Sequence, residues 1–128
     1  MELIFHITTE ASWRKALELG AYVGDSLKNE GFIHFSTASQ VVDVANFLFR
    51  GREDLMLLCV DQVQLEDLVR YENLEGGERL FPHVYGAVLC SFVRRTVGFP
   101  CGEDGQFELP MEVVKYVEKG HVAEEMRL

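Results

Sequence analysis

The 128-residue chain has few basic residues, few cysteines and no long apolar run, and each shortage argues against a class of protein. Its 12 lysines and arginines are outnumbered by 21 aspartates and glutamates, which gives a net charge of −9. Nucleic-acid-binding domains need a basic face to displace counterions, so no extended nucleic-acid binding is expected. No membrane docking is expected either, because an anionic surface repels this charge and no run approaches the ~20 residues of a membrane helix.

Cysteine chemistry is also disfavoured. The three cysteines, Cys59, Cys90 and Cys101, are odd in number and show no C-x-x-C spacing, which argues against a disulfide framework or a zinc site. No H-x-x-x-H or H-E-x-x-H pattern occurs, so no metal site is predicted. The G-x-S-x-G turn of serine hydrolases and a glycine-rich phosphate loop are missing too. No signal peptide is recognisable, which predicts a cytoplasmic location.

The composition of the chain is that of a folded protein, and we predict a single domain spanning residues 1–128. Hydrophobic residues make up 48% and charged residues 26%, enough apolar surface for a core and too little charge for disorder. The extended segments come in runs, which predicts an α+β fold with a mixed, largely antiparallel sheet and flanking helices. These segments are Glu2–Thr8, Gly31–Ser36, Leu55–Asp61, Leu68–Glu72, Phe81–Gly86 and Phe92–Phe99.

Three segments carry helical signals. A threonine cap and a closing Gly20 predict the first helix, and apolar residues spaced by about 3.6 predict a second from residues 36–39 to about Arg50. Residues 112–120 are weakly helical. Residues 21–30 are predicted to be a loop or a short strand.

Three of the four histidines are followed, two positions later, by a hydroxyl residue. The pairs are His6 with Thr8, His34 with Ser36, and His83 with Tyr85. Residues i and i+2 of a strand point to the same face, so each pair presents an imidazole and a hydroxyl together. Imidazole serves acid–base chemistry near neutral pH and also hydrogen-bonds sugar hydroxyls. The repeated pattern predicts one shared polar cleft.

A purely structural interpretation stays open beside this one. A single histidine on a strand more often satisfies buried backbone groups than it binds a ligand, and His34 and His83 could both do so. The two H-x-[ST] motifs are also similar to those of two-histidine phosphoesterases, in which one histidine acts as base and the other as acid. Those motifs normally lie in two lobes, whereas His6 and His34 are close in sequence.

Nearly the whole chain resembles the uncharacterised bacterial and plant family known as DUF952. The order and spacing of the matching residues agree throughout. They are Phe5-His6-Ile7-Thr8, Trp13, Ala16, Tyr22, Ser26-Leu27, Gly31–Ser36, Gln40, Ala45-Asn46-Phe47, Val60-Asp61, Glu72 and Phe81–Gly86.

The order of these segments also resembles, more distantly, the ADP-ribosyltransferase fold of the poly(ADP-ribose) polymerase type, which implies an ADP-ribosyltransferase-like split sheet. His6-Ile7-Thr8 is similar to its first motif, His-Gly-Ser or His-Gly-Thr. Phe32–Phe35 and Val44–Asn46 are similar to its second, Gly-Ile-Tyr-Phe before a helix with Ser-Ala-Asn. The resemblance implies that His6 hydrogen-bonds the adenosine ribose of NAD and that the next residue holds the nicotinamide amide through its backbone. It also implies that His34 stacks on nicotinamide in place of the tyrosine.

The third motif of that fold supplies a glutamate on a late strand, and here the chain departs from the pattern. His83 is the best positional match, and Glu72 is the nearby acid that could substitute. The glutamate orients the nucleophile and stabilises the positive charge that develops on the ribose. The resemblance therefore implies catalytic roles for His83, Glu72 and His34.

These observations lead to the hypothesis of an ADP-ribosyltransferase-like domain that binds NAD or an ADP-ribose-bearing ligand. NAD is the expected cofactor, as a substrate cleaved or transferred at its nicotinamide–ribose bond, and a small-molecule nucleotide is the expected partner. Two alternatives stay open: a non-catalytic module for a nucleotide or small metabolite, and a two-histidine phosphoesterase. The expected binding residues are His6, Thr8, Tyr22, Ser26, His34, Ser36 and Tyr85.

Overall fold

A computed structural model describes residues 2–74 and 76–120, and it confirms an α+β fold with antiparallel sheets. The strands are β1 (Leu3–Thr9), β2 (Ala21–Tyr22), β3 (Ile33–His34), β4 (Leu55–Asp61), β5 (Val69–Glu72), β6 (Phe81–Val84), β7 (Val88–Leu89) and β8 (Val93–Gly98). The helices are α1 (Glu10–Leu19), α2 (Gly24–Glu30), α3 (Val41–Leu48) and α4 (Met111–Glu118). None of the helices described has the length and apolar character needed to cross a membrane.

Two three-stranded antiparallel sheets carry most of the pairing, with the orders β1–β4–β8 and β3–β6–β5. They meet at an isolated bridge between Phe5 of β1 and Ser36, just after β3. The Phe5 N–H donates to the Ser36 carbonyl at 2.8 Å, and the Ser36 N–H donates to the Phe5 carbonyl at 2.7 Å. Within the described residues, β1 and β3 do not pair beyond this bridge, so the sheet is split there, as predicted.

Two apolar cores lie on opposite faces of β1 and β4, because alternate residues of a strand point to opposite faces. The core on the side of α3 and α4 includes Leu3, Phe5, Val41, Ala45, Leu57, Cys59 and Val113. The core on the side of α1 and the β3–β6–β5 sheet includes Ile4, Ala16, Ile33, Phe35, Leu58, Val60 and Val84. Strand β4 is buried on both faces, which agrees with its continuous apolar run.

Helix α1 begins and ends at predicted residues. Thr9 is its N-cap, and the threonine hydroxyl accepts a hydrogen bond from the Ser12 N–H at 3.0 Å. Gly20 closes the helix in the left-handed conformation at φ 82°, which glycine adopts without the steric penalty of a side chain.

The prediction for residues 21–30 is partly wrong. The short strand is present as β2, but Gly24–Glu30 forms helix α2 rather than a loop. This helix has no side-chain N-cap bond and contains no fully buried residue, so neither capping nor apolar spacing indicates it in the sequence. Gly31, at φ 89°, ends α2 and turns the chain toward β3.

We expect Leu57→Ala to lower the free energy of unfolding by about 2–5 kcal/mol, because it leaves a cavity in the core on the α3 side. Leu57 is fully buried in the central strand. Leu17→Ala is the matched control, since Leu17 is 55% exposed on α1 and should change stability by no more than about 0.5 kcal/mol. Urea unfolding of both variants measures the difference, and equal losses would contradict the packing described.

Candidate functional site

A groove of about 510 Å³ opens where β1 and β3 separate beyond the Phe5–Ser36 bridge. One wall comes from His6 and Ile7 of β1, together with His34 and Ser36 from the β3 segment. The opposite wall is the outer face of α3. The first two histidine motifs therefore line one groove, but its lining is mostly apolar and it is not the polar cleft that the sequence predicts for all three motifs.

The α3 wall of the groove is apolar and aromatic. It includes Val44, Phe47, Leu48 and Phe49, and Phe81 lies at the start of β6. Asp43 of α3 is the acidic residue of this lining, and its carboxylate pairs with Arg79 at 3.2 Å. Phe47 is 86% exposed, which is unusual for a phenylalanine on a folded domain. Exposed apolar surface beside polar groups is typical of ligand grooves and interfaces.

The imidazole of His6 is held by two groups of the protein itself, and a third group supports one of them. Its Nδ1 lies 2.6 Å from the backbone carbonyl oxygen of His34, and its Nε2 lies 2.8 Å from the Tyr22 hydroxyl. The Thr8 hydroxyl lies 2.9 Å from the same Tyr22 oxygen. The predicted candidates His6, Thr8 and Tyr22 thus form one hydrogen-bonded network.

The protonation states of His6 and Tyr22 determine the direction of each hydrogen bond in this network. Burial lowers the pKa of His6 to about 4, so its ring is neutral at neutral pH and carries one N–H. A carbonyl oxygen accepts only, so Nδ1–H donates to His34 and Nε2 accepts from the Tyr22 hydroxyl. Burial also raises the pKa of Tyr22, which keeps this hydroxyl protonated. Thr8 therefore donates to the Tyr22 oxygen.

Strand register directs the backbone of Ile7 into the groove. In an antiparallel strand, the N–H and C=O of alternate residues point to opposite edges. Glu2 and Glu10, at the two ends of β1, bond toward the β4 side, whereas Phe5 bonds to Ser36 on the other side. Ile7 is two residues after Phe5, so its N–H and C=O point toward β3. At this position the His6 imidazole, and not the Ile7 amide, bonds the His34 carbonyl.

The His34 side chain forms a second polar feature at the groove. Its Nε2 lies 2.6 Å from a carboxylate oxygen of Glu30, the last residue of α2. The side chains are 45% and 50% exposed, so solvent reaches both. The imidazole ring packs edge-on against Phe32 and against His83, with ring centroids 4.8 and 5.4 Å away.

The third histidine motif lies beside the groove and does not line it. His83 is fully buried, and its Nδ1 lies 3.1 Å from the Glu72 carboxylate. The Tyr85 hydroxyl donates to the same carboxylate oxygen at 2.5 Å, which is the main reason that the pKa of Glu72 is lowered. The guanidinium of Arg70 lies 5.1 Å from the centre of the Tyr85 ring.

The predicted site residues therefore fall into separate groups. His6, His34 and Ser36 line the groove, with Thr8 and Tyr22 behind His6. His83, Glu72 and Tyr85 form their own cluster, and the His83 ring packs against the ring of His34. Ser26 lies on α2, outside both groups. Among residues 2–74 and 76–120, no three His, Cys, Asp or Glu side chains are grouped so that they could hold a metal ion.

Two features of the groove were missed by reasoning from the sequence. Phe47 lies off the apolar stripe that predicts α3, and its exposure could not be read from that spacing. Glu30 is four residues before His34, but Gly31 ends the helix between them, so helical spacing gives no signal of their contact.

Comparison with known proteins places this architecture among relatives without an assigned activity. The family described as "Protein of unknown function (DUF952)" matches residues 7–96. A crystal structure of protein CC0527 from Caulobacter crescentus is 32% identical, covers 88% of this chain and 98% of that one, and has a TM-score of 0.79. A solution structure of CC0527 is 35% identical, covers 85% and 94%, and has a TM-score of 0.75. No curated protein matches the chain.

We expect the free energy of unfolding to fall as the pH drops from 6.5 toward 4, through His6. The folded pKa is about 4 and the ordinary value is 6.5, so in this window the unfolded state binds the extra proton. The contribution of neutral His6 is complete above pH 6.5 and is lost as the pH falls through the window. Urea unfolding at several pH values should show that wild type loses its advantage over His6→Gln. A difference that stays constant with pH would contradict this.

We also expect Tyr22→Phe to lower the free energy of unfolding by about 1–3 kcal/mol. The change removes the hydroxyl shared by His6 and Thr8, so the polar atoms of these two side chains lose a hydrogen-bond partner. Tyr71→Phe is the matched control. Its hydroxyl bonds one partner, the half-buried Gln62, so a smaller loss is expected. Thermal and urea unfolding compare the two, and a larger loss in Tyr71→Phe would argue against the network.

Proposed function

The chain is a member of the DUF952 family, and we propose that its groove binds NAD or another ADP-ribose-bearing ligand, with the nicotinamide ring held between β1 and α3. The observation that carries this proposal is the pair of backbone groups of Ile7, which point into an aromatic-walled groove. The ADP-ribosyltransferase resemblance supports it, since the segments similar to that fold's first two motifs line the same space.

A primary carboxamide is the chemical group that best complements Ile7. It offers one carbonyl acceptor and an NH₂ donor, which match the N–H and C=O of one residue at an unpaired strand edge. The same complementarity underlies the addition of a strand to a sheet. The Ser36 hydroxyl, which also lines the groove, can contribute a further hydrogen bond.

The walls of the groove suit a flat ring. Phe47 and His34 present ring systems on facing sides, and aromatic rings gain stabilisation by offset stacking and edge-to-face contact. A volume of about 510 Å³ is within the range of small-molecule sites. The groove would thus hold the nicotinamide ring and part of the nucleotide attached to it.

His6 has a different role in this proposal from the one that the resemblance implies. Both of its ring nitrogens bond groups of the protein, so His6 positions the walls of the groove. In this proposal other residues contact the ribose of the ligand. Catalytic roles for His83 and Glu72 would require them to act from outside the groove. Their position favours the second candidate function, a nucleotide-binding module without turnover. A two-histidine phosphoesterase would need the imidazoles of both His6 and His34 for its substrate, and both ring nitrogens of His6 bond groups of the protein.

Calorimetric titration with NAD, ADP-ribose and nicotinamide tests the proposal. We expect nicotinamide and NAD to bind, and Phe47→Ala to weaken binding by about tenfold, equivalent to about 1.4 kcal/mol, because the ring loses an aromatic wall. Leu89→Ala is the matched control, an exposed apolar residue outside the groove, and should bind like wild type. Absence of binding by every ligand, or equal weakening in both variants, would overturn the proposal.

The role of Ile7 can be tested without changing the protein. Nicotinate has the ring of nicotinamide but carries a carboxylate, which has no hydrogen to donate to the Ile7 carbonyl and is repelled by it. We expect nicotinate to bind at least about tenfold more weakly than nicotinamide, since a hydrogen-bonding site left unpaired discriminates strongly. Competition titrations measure this ratio, and equal affinities would rule out carboxamide recognition by the strand edge.

A further inference from the structure

We propose that the groove distinguishes the oxidised from the reduced nicotinamide ring by its charge, so that the protein binds NAD in preference to NADH and reads the redox state of the dinucleotide. This selection rests on the proposed nicotinamide site and adds to it a basis for choosing between two forms of one ligand. Both forms carry the same carboxamide, which the backbone of Ile7 can bond equally well. The choice between them therefore depends on the other residues of the groove.

Aromatic rings surround the space in which the nicotinamide ring is placed. Six of the eleven residues that line the groove carry one, namely His6, His34, Phe35, Phe47, Phe49 and Phe81. The face of an aromatic ring carries partial negative charge and attracts a cation, most strongly where water is excluded. The oxidised ring is a pyridinium with a fixed positive charge, whereas the reduced ring is neutral and no longer aromatic. The lining therefore stabilises the oxidised form more.

The charged groups at the groove also favour a cation. Asp43 contributes a carboxylate, and no lysine or arginine is among the described residues of the lining. Burial keeps His6 neutral by lowering its pKa to about 4. His34 lies 2.6 Å from the Glu30 carboxylate, so this pair adds no net positive charge in either protonation state of the imidazole. The net charge of −9 acts in the same direction, because NADH is more negative than NAD by the charge of the ring.

Arg79 moderates the charge of Asp43. Its Nη1 lies 3.2 Å from the Asp43 carboxylate, and its Nη2 donates to the Ser39 carbonyl at 3.2 Å. Asp43 belongs to the lining and Arg79 does not, so the carboxylate is the nearer of the two charges to a bound ring. Because the interaction of two charges weakens with distance, a pyridinium is attracted on balance. Removing one partner of this ion pair should shift the selectivity one way, and removing the other should shift it the opposite way.

Titration calorimetry with two matched pairs of ligands tests the selection. NAD and NADH differ in the oxidation state of the ring. Nicotinamide and nicotinamide methylated on its ring nitrogen differ in positive charge, while both rings stay flat. We expect the form with the charged ring to bind at least about tenfold more tightly in each pair, as for a partly desolvated cation–π contact. The second pair has no phosphates, so its result depends on the groove alone.

Two substitutions with opposite expected effects test the part of the ion pair. Asp43→Asn removes the carboxylate and keeps the Arg79 guanidinium, so the preference for methylated nicotinamide should fall about threefold. Arg79→Gln keeps the Asp43 carboxylate and removes this cation, so the preference should rise about threefold. Effects of this size are usual for exposed charges, and both side chains are partly exposed. Asp67→Asn is the matched control, since Asp67 is exposed and outside the lining, and should leave the preference unchanged.

The outcomes separate this selection from the proposed function. Equal affinities within either pair of ligands would overturn the selection and leave the nicotinamide site in place. Changes of the same sign in Asp43→Asn and Arg79→Gln, or an equal change in Asp67→Asn, would also overturn it. Failure of all four ligands to bind would overturn the proposed function and the selection with it. A preference for the charged ring in both pairs, lowered by Asp43→Asn and raised by Arg79→Gln, would support it.

Discussion

The hydrogen bond from the His6 imidazole to the His34 carbonyl governs the shape of the groove. Antiparallel pairing of β1 with β3 begins at Phe5 and Ser36, and an uninterrupted ladder would next join Ile7 to His34. A side chain occupies that place instead. The backbone of Ile7 is therefore left facing the space between the two strands.

This arrangement depends on keeping one imidazole neutral and in one tautomer. The bonds from Thr8 to Tyr22 and from Tyr22 to His6 fix the tautomer from behind, and burial opposes protonation. His34 receives support on its backbone from this network and on its side chain from Glu30. The same residue therefore connects the structural network on one side of the strand with the solvent-exposed polar pair on the other.

The sequence predicted the strands well because their apolar content is local and continuous. The spacing of two residues along a strand placed the Thr8 hydroxyl on the same face as His6, whereas the meeting of His6 with His34 depends on the bridge between β1 and the β3 segment. The helix α2 escaped prediction because it buries no residue fully and has no side-chain cap. The separation of His83 from the groove could not be foreseen either. It depends on the pairing of β3 with β6, which places His83 opposite His34 and packs the His83 ring against Phe32. Packing between strands that are distant in sequence cannot be read from local patterns.

Recognition by the edge of β1 would leave little trace in an amino-acid alignment. The side chain of Ile7 packs against the core on the α3 side, while its amide and carbonyl lie in the plane of the sheet and point toward β3. They are therefore separate from the contacts that select the residue type. Any residue that fills the same core volume presents the same two backbone groups. Evolution could thus exchange the residue at position 7 among apolar types without altering the specificity of this edge. Similarity of backbone path would then be a better guide to shared ligands than identity at this position.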